Sequence, residues 1–145
     1  MSQTDRYMEY ALAFDAAYLA QDWAQLLPYF ADDARYCSYY GADIEASGPE
    51  KILKQFEADT EAFDRKFDER QMEFVVPPKE VSGRVESRWK MTYVKAGAPD
   101  LELYGTETAT FEGDKLVLLE DAYTPETFRV FGEWLAKHGG FLRKS

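Results

Sequence analysis

The sequence predicts an α+β fold: a cone-shaped, curved antiparallel sheet wrapped around N-terminal helices and closed by a C-terminal helix. Three observations predict it. Apolar residues recur at helical spacing through most of the first third, alternate with a period of two from about residue 71 to 123, and return to helical spacing beyond Thr124. Elements segregated in this way mean α+β rather than alternating α/β. The 145 residues fit one compact domain, 1–145, and 46% of them are hydrophobic, so the chain can bury roughly two thirds of its extended surface. Helices packed on the inner face of a curved sheet leave a pocket. Ten Phe, ten Tyr and three Trp are available to wall it.

Taken in order, Tyr7, Tyr10, Ala11, Phe14, Ala17 and Tyr18 form one apolar stripe of a first helix. Asp22 reads as the N-cap of a shorter helix carrying Trp23, Leu26, Leu27 and Phe30, with Pro28 removing a backbone donor inside it. Residues 34–40 read as a strand. Gly48-Pro49-Glu50 opens a third helix whose buried face is Ile52, Leu53, Phe56 and Phe63. The charged run from 57 to 73 is a solvated helix face leading into a strand start. A strand over 71–76 is expected to stop at Pro77-Pro78. A long strand over 81–94 places Val85, Trp89, Met91 and Tyr93 on one side and Arg84, Glu86, Arg88 and Lys90 on the other. Strands over 101–112 and 115–123 are joined by a tight Gly113-Asp114 hairpin. Thr124-Pro125-Glu126 starts the last helix, with Phe128, Phe131, Trp134, Leu135 and His138 along one face and Gly139-Gly140 at its end.

Charge and composition exclude several functions. The net charge is −10 and the pI about 4.6, which repels phosphate backbones, so neither nucleic acid nor an anionic membrane surface is an expected partner. The apolar runs are too short to span a bilayer. Met1 to Arg6 lacks the charged-then-apolar layout of a signal peptide, and a cytoplasmic location is expected. Cys37 and His138 are each the only one of their kind. An internal disulfide and a Cys/His zinc site are therefore excluded. No metal or organic cofactor is expected, and acid–base chemistry must rest on carboxylates, tyrosines or lysines. His138 has a simpler role, as a cation suited to the end of a helix.

Several local motifs resemble the SnoaL-like and ketosteroid-isomerase-like branch of the nuclear transport factor 2 superfamily. They are Asp22-Trp23 through Tyr29-Phe30-Ala31-Asp32-Asp33-Ala34, then Gly48-Pro49-Glu50-Lys51-Ile52, then Gly113-Asp114-Lys115-Leu116. The resemblance covers nearly the whole chain. It implies an apolar pocket in a cone-shaped barrel, and commonly a homodimer through the outer sheet face, where Arg84, Glu86, Arg88 and Lys90 form a self-complementary surface. It does not imply one reaction.

Each chemistry of that branch can be set against the residues. Aligned with ketosteroid isomerases, Phe14 takes the position of the first-helix tyrosine, Ser38 that of the aspartate base and Glu107 that of the second acid. The first two cannot perform those roles. Aligned with limonene-type epoxide hydrolases, Tyr36-Cys37-Ser38 resembles the Tyr-x-Asn strand and Asp121 takes one aspartate position. The Arg-x-Asp pair has only Arg84-Val85-Glu86, which the strand pattern points outward. The histidine of the dehydratases has no counterpart on any strand or on the first three helices.

Two carboxylates emerge as candidates. Glu107 shares its strand parity with Ala109 and Phe111, and Asp121 shares its parity with Leu119 and Tyr123. A carboxylate turned into an apolar cavity is desolvated and can act as an acid. The candidate catalytic set is Glu107, Asp121, Tyr36 and Ser38, with Tyr18, Tyr36 or Ser38 orienting a substrate oxygen. The candidate pocket set is Phe14, Tyr18, Phe30, Tyr40, Phe56, Trp89, Met91 and Tyr123. Cys37 alternates with the inward face and is assigned no chemistry. The expected ligand is a small apolar molecule with a polar handle. Three readings follow from this: a cofactor-free isomerase, cyclase or hydrolase working through carboxylates; a non-catalytic ligand-binding or dimeric interaction module; and, with the weakest match to the residues, a limonene-type epoxide hydrolase.

Overall fold

A computed structural model describes residues 1–40 and 43–143. Helix α1 (Gln3–Ala20) begins at Ser2, whose hydroxyl accepts the Asp5 amide, and buries Tyr7, Tyr10 and Ala17 along the predicted stripe. A 3₁₀ turn (Trp23–Tyr29) follows where a second helix was expected. Pro28 lies within it and supplies no amide, so the segment closes through shorter i→i+3 bonds. Asp22 does not cap it, and its carboxylate accepts from the Gln25 side chain at 3.4 Å instead. Strand β1 (Phe30–Tyr39) turns back into a short β2 (Asp43–Ser47) that the sequence pattern does not reveal. Helix α2 (Pro49–Ala62) opens on Pro49 and buries Ile52, Leu53 and Phe56.

Four strands then run as an antiparallel meander: β3 (Glu69–Val81), β4 (Arg84–Val94), β5 (Leu101–Glu112) and β6 (Lys115–Tyr123). Strand β3 does not stop at Pro77-Pro78. It lies at the edge of the sheet and changes register between Val76 and Lys79, so both prolines are accommodated without breaking a central ladder. The long strand expected over 81–94 starts three residues later. Ser82 and Gly83 have φ of 52° and 81°, the left-handed geometry of a two-residue hairpin. Helix α3 (Pro125–His138) runs into a final 3₁₀ turn (Gly139–Arg143), and His138 lies against Trp134 at its end.

The six strands form one curved sheet in the order β2-β1-β6-β5-β4-β3. One pairing departs from the expected antiparallel pattern: β1 runs parallel to β6, with Ser38 beside Asp121. The α+β cone is otherwise as the sequence predicts. Two apolar cores fill it. One joins α1, α2, β1 and β6 around Tyr10, Phe30, Ile52 and Leu119. The other joins β4, β5 and α3 around Phe67, Leu101, Leu103 and Trp134. Leu103 is fully buried, so Leu103→Ala is expected to lower stability by about 2–5 kcal/mol in urea denaturation. No helix among the described residues is long and apolar enough to cross a membrane.

Candidate functional site

Between the helices and the inner face of the sheet lies a cavity of about 390 Å³, within the range of small-molecule sites. Its walls are mostly aromatic. Tyr7, Tyr10 and Phe14 come from α1, Phe56 from α2, Trp89, Met91 and Tyr93 from β4, and Tyr123 from the end of β6. The strand alternation that buries Val85, Trp89, Met91 and Tyr93 on one side of β4 leaves Arg84, Glu86 and Arg88 on the outer face, away from the cavity.

Glu107 and Asp121 meet at the inner end of the cavity. They are direct cross-strand partners on β5 and β6, a spacing that brings Cβ atoms to roughly 5 Å. The Tyr7 hydroxyl donates to the Glu107 carboxylate, and Ser87 Oγ lies 3.1 Å from the same hydroxyl. The Tyr36 hydroxyl donates to Asp121 Oδ2 at 3.3 Å. Asp121 is 8% exposed, and its Oδ1 has no hydrogen-bond partner among the described residues. Burial pushes the Asp121 carboxyl well above the ordinary carboxylate range. The neighbouring Glu107 pushes it further, and the nearby Tyr40 and Tyr36 hydroxyls only partly oppose this. Asp121 is therefore a carboxyl that keeps its proton to higher pH than an ordinary carboxylate. Tyr7 and Tyr36 are themselves raised, chiefly by burial and then by the same two carboxyls, so both remain hydrogen-bond donors.

The mouth of the cavity carries a second polar group. Arg70 Nε donates to Asp64 Oδ2 at 2.7 Å, and the Tyr93 hydroxyl donates to the same oxygen at 3.1 Å. Asp15 stands 3.9 Å from the guanidinium. Asp59, held by Gln55 at 2.8 Å, completes the rim.

Of the expected pocket residues, Phe14, Tyr40, Phe56, Trp89, Met91 and Tyr123 line the cavity, as do Glu107, Asp121 and Tyr36. Three residues stand elsewhere. Tyr18 packs against the core beside Trp23 and does not line the cavity, and the guanidinium groups of Arg65 and Arg70 lie 4.2 and 4.6 Å from its ring. Phe30 is packed into the core edge-on to Tyr10 and does not reach the cavity. Ser38 has the parity of Tyr36 but is fully buried in the sheet beside Asp121 and takes no part in the lining. Sequence reasoning placed Tyr7 only on an apolar helix stripe. Its hydroxyl, a polar tip at the centre of such a stripe, was the available sign of a site role. The rim group of Asp15, Asp59, Asp64 and Arg70 was hidden within a charged run and a helix face.

No family model and no curated protein matches the sequence. Solved structures do match its shape. TerC, co-crystallised with polyporic acid, is 18% identical with a TM-score of 0.66, covering 91% of this chain and 99% of its own. An NTF2-like protein of unknown function from Burkholderia pseudomallei is 18% identical with a TM-score of 0.64, covering 90% and 98%. A protein with a ketosteroid-isomerase-like fold from Catenulispora acidiphila, in complex with trimethylamine, is 20% identical with a TM-score of 0.61, covering 90% and 92%. At this identity the shared property is the architecture, and together with the helix-filled, six-stranded cone it shows that the chain has the nuclear transport factor 2-like fold.

Proposed function

We propose that the chain binds a small, largely apolar molecule in the aromatic cavity and moves a proton on it with the Glu107–Asp121 pair, as in an isomerisation or cyclisation. The observation that carries this reading is the pair itself. Two adjacent carboxyls in an apolar enclosure do not both ionise, so one proton is held between an acid and an acceptor. Asp121 is the acid. Its enclosed Oδ1 has no protein partner, while Tyr36 donates to the other oxygen. Tyr7 orients Glu107 from the opposite wall. One carboxyl gives a proton and the other receives one, which is what moving a double bond or closing a ring requires. The small molecules held by TerC and by the Catenulispora protein support a ligand-holding role for a cone of this shape.

The test is a carboxyl-labelled NMR titration, free and with a panel of small terpenoid and polyketide-like ketones. Asp121 is expected to titrate above the ordinary carboxylate value near 4 and to shift when a ligand enters. An ordinary titration that ignores every ligand overturns the assignment. For any panel member that is converted, or that exchanges protons with deuterated water, Glu107→Gln and Asp121→Asn are each expected to slow the reaction by about a hundredfold or more.

A second reading concerns the outer face of the sheet and is compatible with the first. Arg84, Thr106, Thr108, Glu120 and Tyr39 surround a shallow depression of about 220 Å³ there. This mixed-charge, hydroxyl-rich face supports a homodimer formed through the sheet. Light scattering across a dilution series tests it, with Arg84→Glu expected to shift the population toward monomer.

A further inference from the structure

The ionisable groups on the cavity wall are one-sided. Five carboxyl groups line it: Asp15, Asp59, Asp64, Glu107 and Asp121. Arg70 is the only cationic side chain among the lining residues. That guanidinium is already committed, bonded to Asp64 and facing Asp15. An anionic ligand would meet this field with no free cation among the described lining residues to receive it. The hydroxyls nearest the inner end are committed as well, since Tyr7 and Tyr36 donate to Glu107 and Asp121. What remains without a protein partner there is the enclosed Asp121 Oδ1. Most of the remaining wall is π surface: four Phe, six Tyr and one Trp. Carboxylates set among aromatic rings form a surface that attracts an organic ammonium, through charge and through the ring quadrupoles together.

We infer that the polar handle of the ligand is a tertiary or quaternary ammonium, seated against the Glu107–Asp121 pair with its alkyl groups on the aromatic wall formed by Tyr40, Trp89 and Tyr123. The three rings are mutual neighbours, with centroids 4.4–6.2 Å apart, and they stand beside Asp121 in the same cavity. This rests on the reading of the cavity as a ligand site and adds the charge class of the ligand to it.

Three probes of closely similar shape separate the possibilities: benzyltrimethylammonium, its neutral carbon isostere neopentylbenzene, and the anion phenylacetate. Binding is followed by tryptophan fluorescence and by calorimetry on the intact chain. Benzyltrimethylammonium is expected to bind at least tenfold more tightly than neopentylbenzene, with phenylacetate weakest. In the Glu107→Gln/Asp121→Asn double variant that preference is expected to vanish, with a cooperative thermal melt and native circular dichroism showing that the variant has folded. If neopentylbenzene or phenylacetate binds wild type as well as the cation does, the ammonium assignment is overturned and the ligand cavity stands. If none of the three binds, the cavity reading falls with it.

Discussion

Asp121→Asn is expected to make the chain less sensitive to alkaline pH, and to stabilise it relative to wild type increasingly as pH rises. In the folded chain the Asp121 carboxyl is kept protonated to higher pH by burial first, then by the neighbouring Glu107. In the unfolded chain it ionises near pH 4. Between those two values the native state carries a proton that the unfolded state has released. Stability from this group is complete below the unfolded value and is lost as pH rises through the folded one, at up to about 1.4 kcal/mol per pH unit. Asparagine does not titrate, and it keeps an acceptor for Tyr36. Other groups facing Asp121 contribute little to the slope. Tyr7, Tyr10, Tyr36 and Tyr40 are all raised, so they remain neutral throughout this window. Asp15 and Asp59 are also raised by burial, and they tilt wild type and variant alike. Urea denaturation of both proteins from about pH 4 to 8 measures the difference, and parallel stability curves would mean that Asp121 titrates as an ordinary carboxylate.

Gly105→Ala is expected to be among the most damaging single-methyl additions in the chain. Gly105 is the cross-strand partner of Trp89, and the indole lies directly over it. A β-carbon at this position would run into the six-membered ring of Trp89 and come within 2.5 Å of the Ala122 carbonyl oxygen. The glycine is required by the close approach of side chain and backbone, since its φ is not positive. Accommodating the methyl means expelling the indole from the cavity wall and bending the β5–β6 pairing. Overpacking of this kind costs about 1–3 kcal/mol. Calorimetry is expected to show a lower Tm, and tryptophan emission is expected to move to the red as Trp89 is exposed. Replacing Trp89 with Leu in the same chain should recover part of the loss, because the ring clash disappears and the contact with the Ala122 carbonyl remains. A variant as stable as wild type would show that β5 can shift freely beneath Trp89.

Much of the fold is legible because the governing signals are local. The stripe Tyr7-Tyr10-Phe14 marks α1, and Pro49 after Gly48 marks the start of α2. The alternation through Val85, Trp89, Met91 and Tyr93 marks the buried side of β4. The pattern fails where a neighbour decides the outcome. Pro77-Pro78 reads as a stop, yet β3 continues through it, because only its place at the sheet edge makes a missing amide tolerable. Tyr18 continues the α1 stripe, but two guanidinium groups brought from residues 65 and 70 hold it outside the cavity. Phe30 carries the right chemistry for a pocket wall, and the packing of Tyr10 and Phe56 against it places it in the core instead.

The sequence by itself determined the α+β architecture, the aromatic richness of the interior, and the strand parity that groups Glu107 with Ala109 and Phe111. Those properties follow from residue type and from periods of 3.6 and 2 along a single segment. The tertiary structure alone decided that Glu107 and Asp121 stand opposite one another, that Tyr7 and Tyr36 reach them from α1 and β1, and that Asp121 is enclosed enough to hold a proton. Register between strands, the approach of a helix to a sheet, and desolvation are all set by residues distant in the chain, and it is this juxtaposition that makes two ordinary carboxylates a site.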